Sequence, residues 1–124
     1  MSIFTEDELS YLRGERRLGR LATVGPDGMP HVTPVGWSYD PESDVVEVGG
    51  HEFAATKKYR DVQRTGRAAL VVDDVLAPWQ PRGVEIRGDA AAVPEPDPHI
   101  RIRPTRIVAW GLSEAGGRST RTVS

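Results

Sequence analysis

From Leu18 onward the apolar residues recur with period two, in short runs closed by glycine, proline and aspartate. That rhythm constrains the fold more than any other feature, because side chains that alternate between two faces build half-buried strands and not helices. Leu18–Val24 is the first run, and Gly25-Pro26-Asp27-Gly28 is a turn. His31–Trp37 returns as the second strand of a hairpin, 40–44 turns again, and Val45–Val48 is a third strand. Arg67–Val72, Gly83–Ala92 and Ile100–Trp110 supply three more, with 73–81 read as a loop carrying Trp79. Pro34 lies inside the second run and has no N–H to donate, which marks an edge, a bulge or a place where a ligand replaces a neighbouring strand.

Two segments break the rhythm. Thr5 with Glu8 three residues on spells a capping box, so a short helix starts there and ends near Gly14. Glu6, Asp7 and Glu8 place negative charge at the positive end of its dipole. Phe53–Arg64 reads as a second helix, stopped at Thr65-Gly66. Six strands with two short helices predict a mainly β, closed or partly closed antiparallel barrel. One domain, 1–112, accounts for it, and the Gly-, Ser-, Thr- and Arg-rich tail at 113–124 is expected to be disordered.

Composition narrows the function. The 124 residues contain no cysteine, which removes disulfides, thiolate metal sites and cysteine nucleophiles. His31, His51 and His99 lack ligand spacing, so no metal is expected. A pI near 5.9 and few aromatics argue against a nucleic-acid-binding barrel. No run is long and apolar enough for a membrane span, and no signal-peptide pattern opens the chain, so a cytoplasmic protein without a membrane partner is expected. Neither a G-x-S-x-G elbow nor a dinucleotide fingerprint is present, so any enzymatic chemistry here belongs to a cofactor.

Of the 16 basic residues 14 are arginine, and the only lysines, Lys57 and Lys58, stand side by side. With Thr56 they open the second helix, where free backbone N–H groups suit a phosphate or carboxylate. The competing reading makes Thr56 a cap and the lysines solvated. On the second strand, His31, Thr33 and Val35 share a face beside the missing donor at Pro34; His31 taken alone reads as an exposed hairpin residue.

The stretches LGRLATVGPDGMPHVTPVGWSYD, VGGHEFAATKKYRDVQRTGRAALVVDD and WQPRGVEIRGDAAAV, in that order, resemble the pyridoxamine 5′-phosphate oxidase-like superfamily of split barrels. Within it they are most similar to the actinobacterial branch of coenzyme F420 (deazaflavin)-dependent oxidoreductases. The resemblance spans about residues 4–112. It implies a six-stranded split β-barrel, a homodimer, and two cofactor sites between the subunits. It implies that His31, Val32, Thr33, Pro34 and Val35 run along the flavin-like ring, largely through backbone. It assigns the cofactor phosphate to Thr56, Lys57 and above all Lys58. Arg82 and Gly83 match a strand that reaches the cofactor from the other subunit, and Trp79 lines the same pocket. Arg60 and Arg64, one helical turn apart, suit a polyglutamyl tail.

The function implied is a reductase passing a hydride from F420 to a small unsaturated substrate. FMN on the same barrel is the alternative cofactor, and a non-catalytic flavin or tetrapyrrole carrier is the alternative class. The arginine-and-histidine motif of the pyridoxamine phosphate oxidases has no counterpart, so that oxidation is not expected.

Overall fold

The computed structural model describes residues 2–113 and 116–123. Helix α1 spans Glu6–Arg13, strands β1 to β3 span Gly19–Val24, Pro30–Asp40 and Val45–Gly49, and helix α2 spans Lys57–Thr65. Strands β4 to β7 follow at Arg67–Leu76, Gln80–Val93, His99–Trp110 and Arg118–Thr122. Every pairing is antiparallel, in the order β3-β2-β1-β4-β5-β6-β7, and a further β3–β6 pairing closes six of the strands into a barrel. The family-implied six-stranded barrel is therefore what the chain forms.

The split comes from β6. Its first half pairs with β3 (Val46↔Ile102 to Gly49↔His99), and its second half pairs with β7 (Arg106↔Thr122 to Trp110↔Arg118). Where β3 leaves the edge of β6, β7 takes it over. Pro104 sits between the halves, opposite a register shift at Arg87/Gly88, as expected of a residue that cannot donate to a ladder.

The alternation predicted from sequence fills the barrel. Leu21, Leu70, Ile86, Ile100, Ile102 and Ile107 are fully buried, each contributing about 1.5–3 kcal/mol relative to exposure. Helix α1 has the expected capping box: the Glu8 N–H donates to Thr5 Oγ1 (3.1 Å) and the Thr5 N–H donates to Glu8 Oε1 (3.0 Å). Helix α2 covers one end of the barrel, burying Tyr59 and Val62 one turn apart, with Tyr59 packed edge-on against Phe53. It stops at Gly66, whose φ of 69° is left-handed.

Three expectations change. The second helix does not run continuously from Phe53: Phe53–Ala55 is one 3-10 turn, and Thr56 interrupts it as the N-cap of α2. The 73–81 loop is mostly hairpin, because Asp74 stands directly opposite Arg82 in the ladder and the pair holds the two strands together. The tail is not wholly disordered: residues 118–122 pair with the β6 edge, and Arg121 forms a two-pronged ion pair with buried Glu8 (2.6 and 2.8 Å). Residues 114, 115 and 124 of that tail lie outside the described residues.

Candidate functional site

The β1–β2 hairpin brings His31 back over Gly25, and α2 brings Lys57 to the same place. A Cβ added at Gly25 would lie 2.9 Å from Lys57 Nζ, 3.2 Å from Asp27 Oδ1 and 3.5 Å from His31 Nε2. Three polar side chains from three elements thus converge on a residue without one.

The cations there are fixed from beneath. Asp61, four residues after Lys57 on α2, has a side chain only 1% exposed. Its Oδ1 accepts from Lys57 Nζ at 3.2 Å and from Arg64 Nη2 at 3.3 Å, and its Oδ2 accepts from the buried Thr23 hydroxyl of β1 at 2.9 Å. Arg64 also donates to the Val24 carbonyl. Burial is the largest single influence on Asp61 and pushes its pKa up, but the bonds from Thr23, Lys57 and Arg64 together bring it below the usual carboxylate range. Lys57 and Arg64 remain 40% and 39% exposed, so a buried carboxylate holds two outward-facing cations.

Beside this pair runs a free strand edge. Residues 30–35 of β2 pair only with β1, and β3 joins β2 only from Gly36 onward. Among the described residues, nothing pairs the other edge of His31–Val35, so its backbone donors and acceptors can meet a ligand. Val32 and Pro34 point outward and are exposed, Thr33 is half-buried, and Val35 is in the core. Val35 therefore offers its backbone and not its side chain, whose methyls the barrel needs.

The remaining sequence candidates fall elsewhere. The Thr56 hydroxyl donates to the Phe53 carbonyl (2.7 Å) and accepts from the Tyr59 N–H (3.3 Å), which is the cap role that competed with ligand binding. Lys58 lies over the Phe53 ring, its Nζ 5.2 Å from the centroid, while Lys57 is the lysine that meets His31. Arg60 donates to the Ala55 carbonyl at 2.8 Å. Trp79, at the tip of the β4–β5 hairpin, is 75% exposed. Arg82 is engaged with Asp74 through two bonds of 2.8 and 3.0 Å. Gly83 is a packing requirement, since a Cβ there would come within 2.7 Å of both the Asp73 Cβ and the Trp110 ring. Among the described residues, no group of three or more His, Cys, Asp or Glu is placed to hold a metal ion.

Sequence reasoning missed Asp61. The signal was present as a lysine–aspartate–arginine spacing of i, i+4 and i+7 on one helix face.

Comparison with known proteins agrees with the barrel. The family described as pyridoxamine 5′-phosphate oxidase matches residues 5–123. A 5a,11a-dehydrotetracycline/5a,11a-dehydrooxytetracycline reductase of Streptomyces rimosus is 43% identical over 88% of this chain and 84% of its own length. An F420H(2)-dependent biliverdin reductase of Mycobacterium tuberculosis is 35% identical over 53% of this chain and 46% of its own length. Among solved structures, a conserved hypothetical protein of Mycobacterium tuberculosis superposes with a TM-score of 0.75 at 21% identity, over 92% of this chain and 89% of the other.

Proposed function

The chain belongs to the pyridoxamine 5′-phosphate oxidase family of split barrels, and from that premise we propose that it is a reductase using coenzyme F420 on an unsaturated, dehydrotetracycline-like substrate. The observation that carries this reading is the 43% identity, over most of both chains, to a reductase of 5a,11a-dehydrotetracycline. The F420H(2)-dependent relative supports the choice of cofactor.

The residues fit such a group. The free edge of β2 at His31–Val35 offers backbone bonds to a planar ring, with Val32 and Pro34 as its apolar neighbours. Lys57 and Arg64 supply two exposed cations for the cofactor's phosphate, with Lys57 as the principal contact. When bound, the reduced deazaflavin supplies the hydride; the barrel supplies position, a dry wall and the anion clamp.

A second copy completes the site in this reading. Leu18, Val24, Met29 and Val32, in β1 and β2 or immediately before them, and Trp79 on the β4–β5 hairpin, are large and exposed, which supports a homodimer closing over the cofactor with Trp79 as part of the pocket wall. Arg82 and Gly83 build the hairpin that carries Trp79.

The test is a fluorescence titration of one purified sample with F420 and with FMN, followed by oxidation of reduced F420 on addition of 5a,11a-dehydrotetracycline. Tight F420 binding with substrate-dependent oxidation is expected. Tight binding of FMN instead, or of neither, overturns the proposal.

A further inference from the structure

We infer that Asp61 is a positioning residue: it presents Lys57, and with it Arg64, to the cofactor phosphate beside the free edge of β2. The inference rests on the reading of Lys57 as the clamp.

A carboxylate this deeply buried is an unusual occupant of a helix face that packs on a barrel. Replacing a whole buried ion-paired set by apolar residues of similar volume is often neutral or stabilising, so the carboxylate calls for an account beyond stability. Its bonds give one. Oδ2 is tied to Thr23, a buried residue of the barrel wall, so the carboxylate is fixed to β1 and not only to its own helix. Oδ1 receives both cations. Lysine has a flexible stem and loses rotamer freedom when it grips a ligand; a cation already held in place loses less on binding. The missing side chain at Gly25 leaves the space into which the Lys57 ammonium is drawn, beside His31 and Asp27.

The sign of one substitution separates this role from plain electrostatics. Asp61→Asn removes a negative charge close to an anion site. If charge alone mattered, the variant would bind the phosphate-bearing cofactor more tightly. If Asp61 positions Lys57, the variant binds it more weakly.

The experiment is a double-mutant cycle on the full chain, read by F420 titration and by steady-state kinetics. Asp61→Asn is expected to weaken F420 about tenfold, the scale of leaving one rotamer-rich side chain to be ordered by the ligand. It is expected to raise KM for reduced F420 more than it lowers kcat. In a Lys57→Ala background the same substitution is expected to change the affinity by less than about twofold, because the principal cation it positions is gone and only Arg64 remains. Tighter binding by Asp61→Asn, or an equal loss in both backgrounds, overturns the inference while leaving the clamp intact. An affinity unchanged by Lys57→Ala alone overturns the clamp, and the inference with it. Should Asp61→Asn not fold, Thr23→Val frees the carboxylate from the wall while keeping both cations. A loss of affinity from Thr23→Val that vanishes beside Lys57→Ala supports the inference, and unchanged affinity overturns it.

Discussion

Asp61 and Asp74 hold the same set of partners, two cations and one hydroxyl, and the barrel uses the two sets in opposite ways. At Asp74 the cations are the more sheltered members, the Arg82 side chain being 24% exposed and the carboxylate 29%. Arg82 pairs with it through two bonds, Tyr11 donates its hydroxyl at 2.8 Å, and Arg17 Nε lies 3.3 Å away, buried and not aligned for a hydrogen bond. Both guanidinium groups also face the Tyr11 ring, at 4.0 and 5.2 Å from its centroid. The Arg17 side chain is 10% exposed. At Asp61 the carboxylate is the hidden member and the cations face solvent. Sheltered cations tie a helix to a hairpin; more exposed cations over a buried carboxylate are available to a ligand. Charge count alone does not distinguish the two sites, and the direction of burial does.

The sharpest break between them is in stability. Asp74→Ala leaves two arginines against Tyr11 without their counter-ion, and the expected loss is about 3 kcal/mol in urea unfolding, the scale of two charge-assisted hydrogen bonds at a half-buried site. F420 affinity of the folded variant is expected to hold. A loss of affinity comparable to that of Lys57→Ala would erase the contrast.

Lys57→Ala should show the reverse pattern. One charge-assisted bond contributes about 1.5–3 kcal/mol, so F420 binding should weaken roughly 10- to 100-fold. Because the ammonium is well exposed, its ion pair adds at most about 1 kcal/mol to folding. The titration checks the first figure and urea unfolding the second. Lys58→Ala serves as the internal control, with a smaller loss expected, since that lysine lies over Phe53.

The barrel was legible in the sequence because its signal is local. Period-two runs, Gly66 and the Thr5–Glu8 box each state a backbone preference within a few residues. What was not legible depended on pairing across distance. Asp73 and Asp74 read as turn residues until the register set Asp74 opposite Arg82. The tail read as disordered because its composition is polar, yet the free half of the β6 edge and the buried Glu8 carboxylate give it partners outside its own local sequence, Glu8 being 113 residues from Arg121. In the site, residue type alone does not separate Lys57 from Lys58, and the family resemblance ranks Lys58 first. Only the path of α2 over β1 decides that Lys57 meets His31.

A smaller difference should appear with pH. The pairing with Arg82, helped by Tyr11 and Arg17 and opposed by burial, holds the Asp74 carboxyl well below the usual carboxylate range. A carboxyl depressed in the folded state stabilises the fold above its unfolded pKa of about 3.9, and that contribution is lost as pH falls through the folded value. The gap in stability between wild type and Asp74→Asn should therefore be constant above about pH 5 and narrow below about pH 4, by at most about 1.4 kcal/mol per pH unit. Unfolding curves at several pH values measure it, and a gap that stays constant to the lowest pH would mean that Asp74 is not ion-paired in solution.

The finest distinction is in salt. Between about 10 mM and 1 M the Debye length shrinks from about 30 to 3 Å, and exposed charges are screened far more than buried ones. With the proposed clamp of Lys57 and Arg64 on the phosphate at the surface, F420 affinity should fall several-fold over that range in wild type. In Lys57→Ala the fall should be visibly smaller, since one of the two screened cations is gone. The stability difference between wild type and Asp74→Ala should scarcely move over the same range, its arginines being sheltered by Tyr11 and the hairpin. If the affinity of wild type and Lys57→Ala declined in parallel, the phosphate would be held by other cations and the outward-facing pair over Asp61 would be a surface feature only. If instead the Asp74 cluster lost its contribution in salt while F420 binding did not, the roles drawn from burial would have to be exchanged.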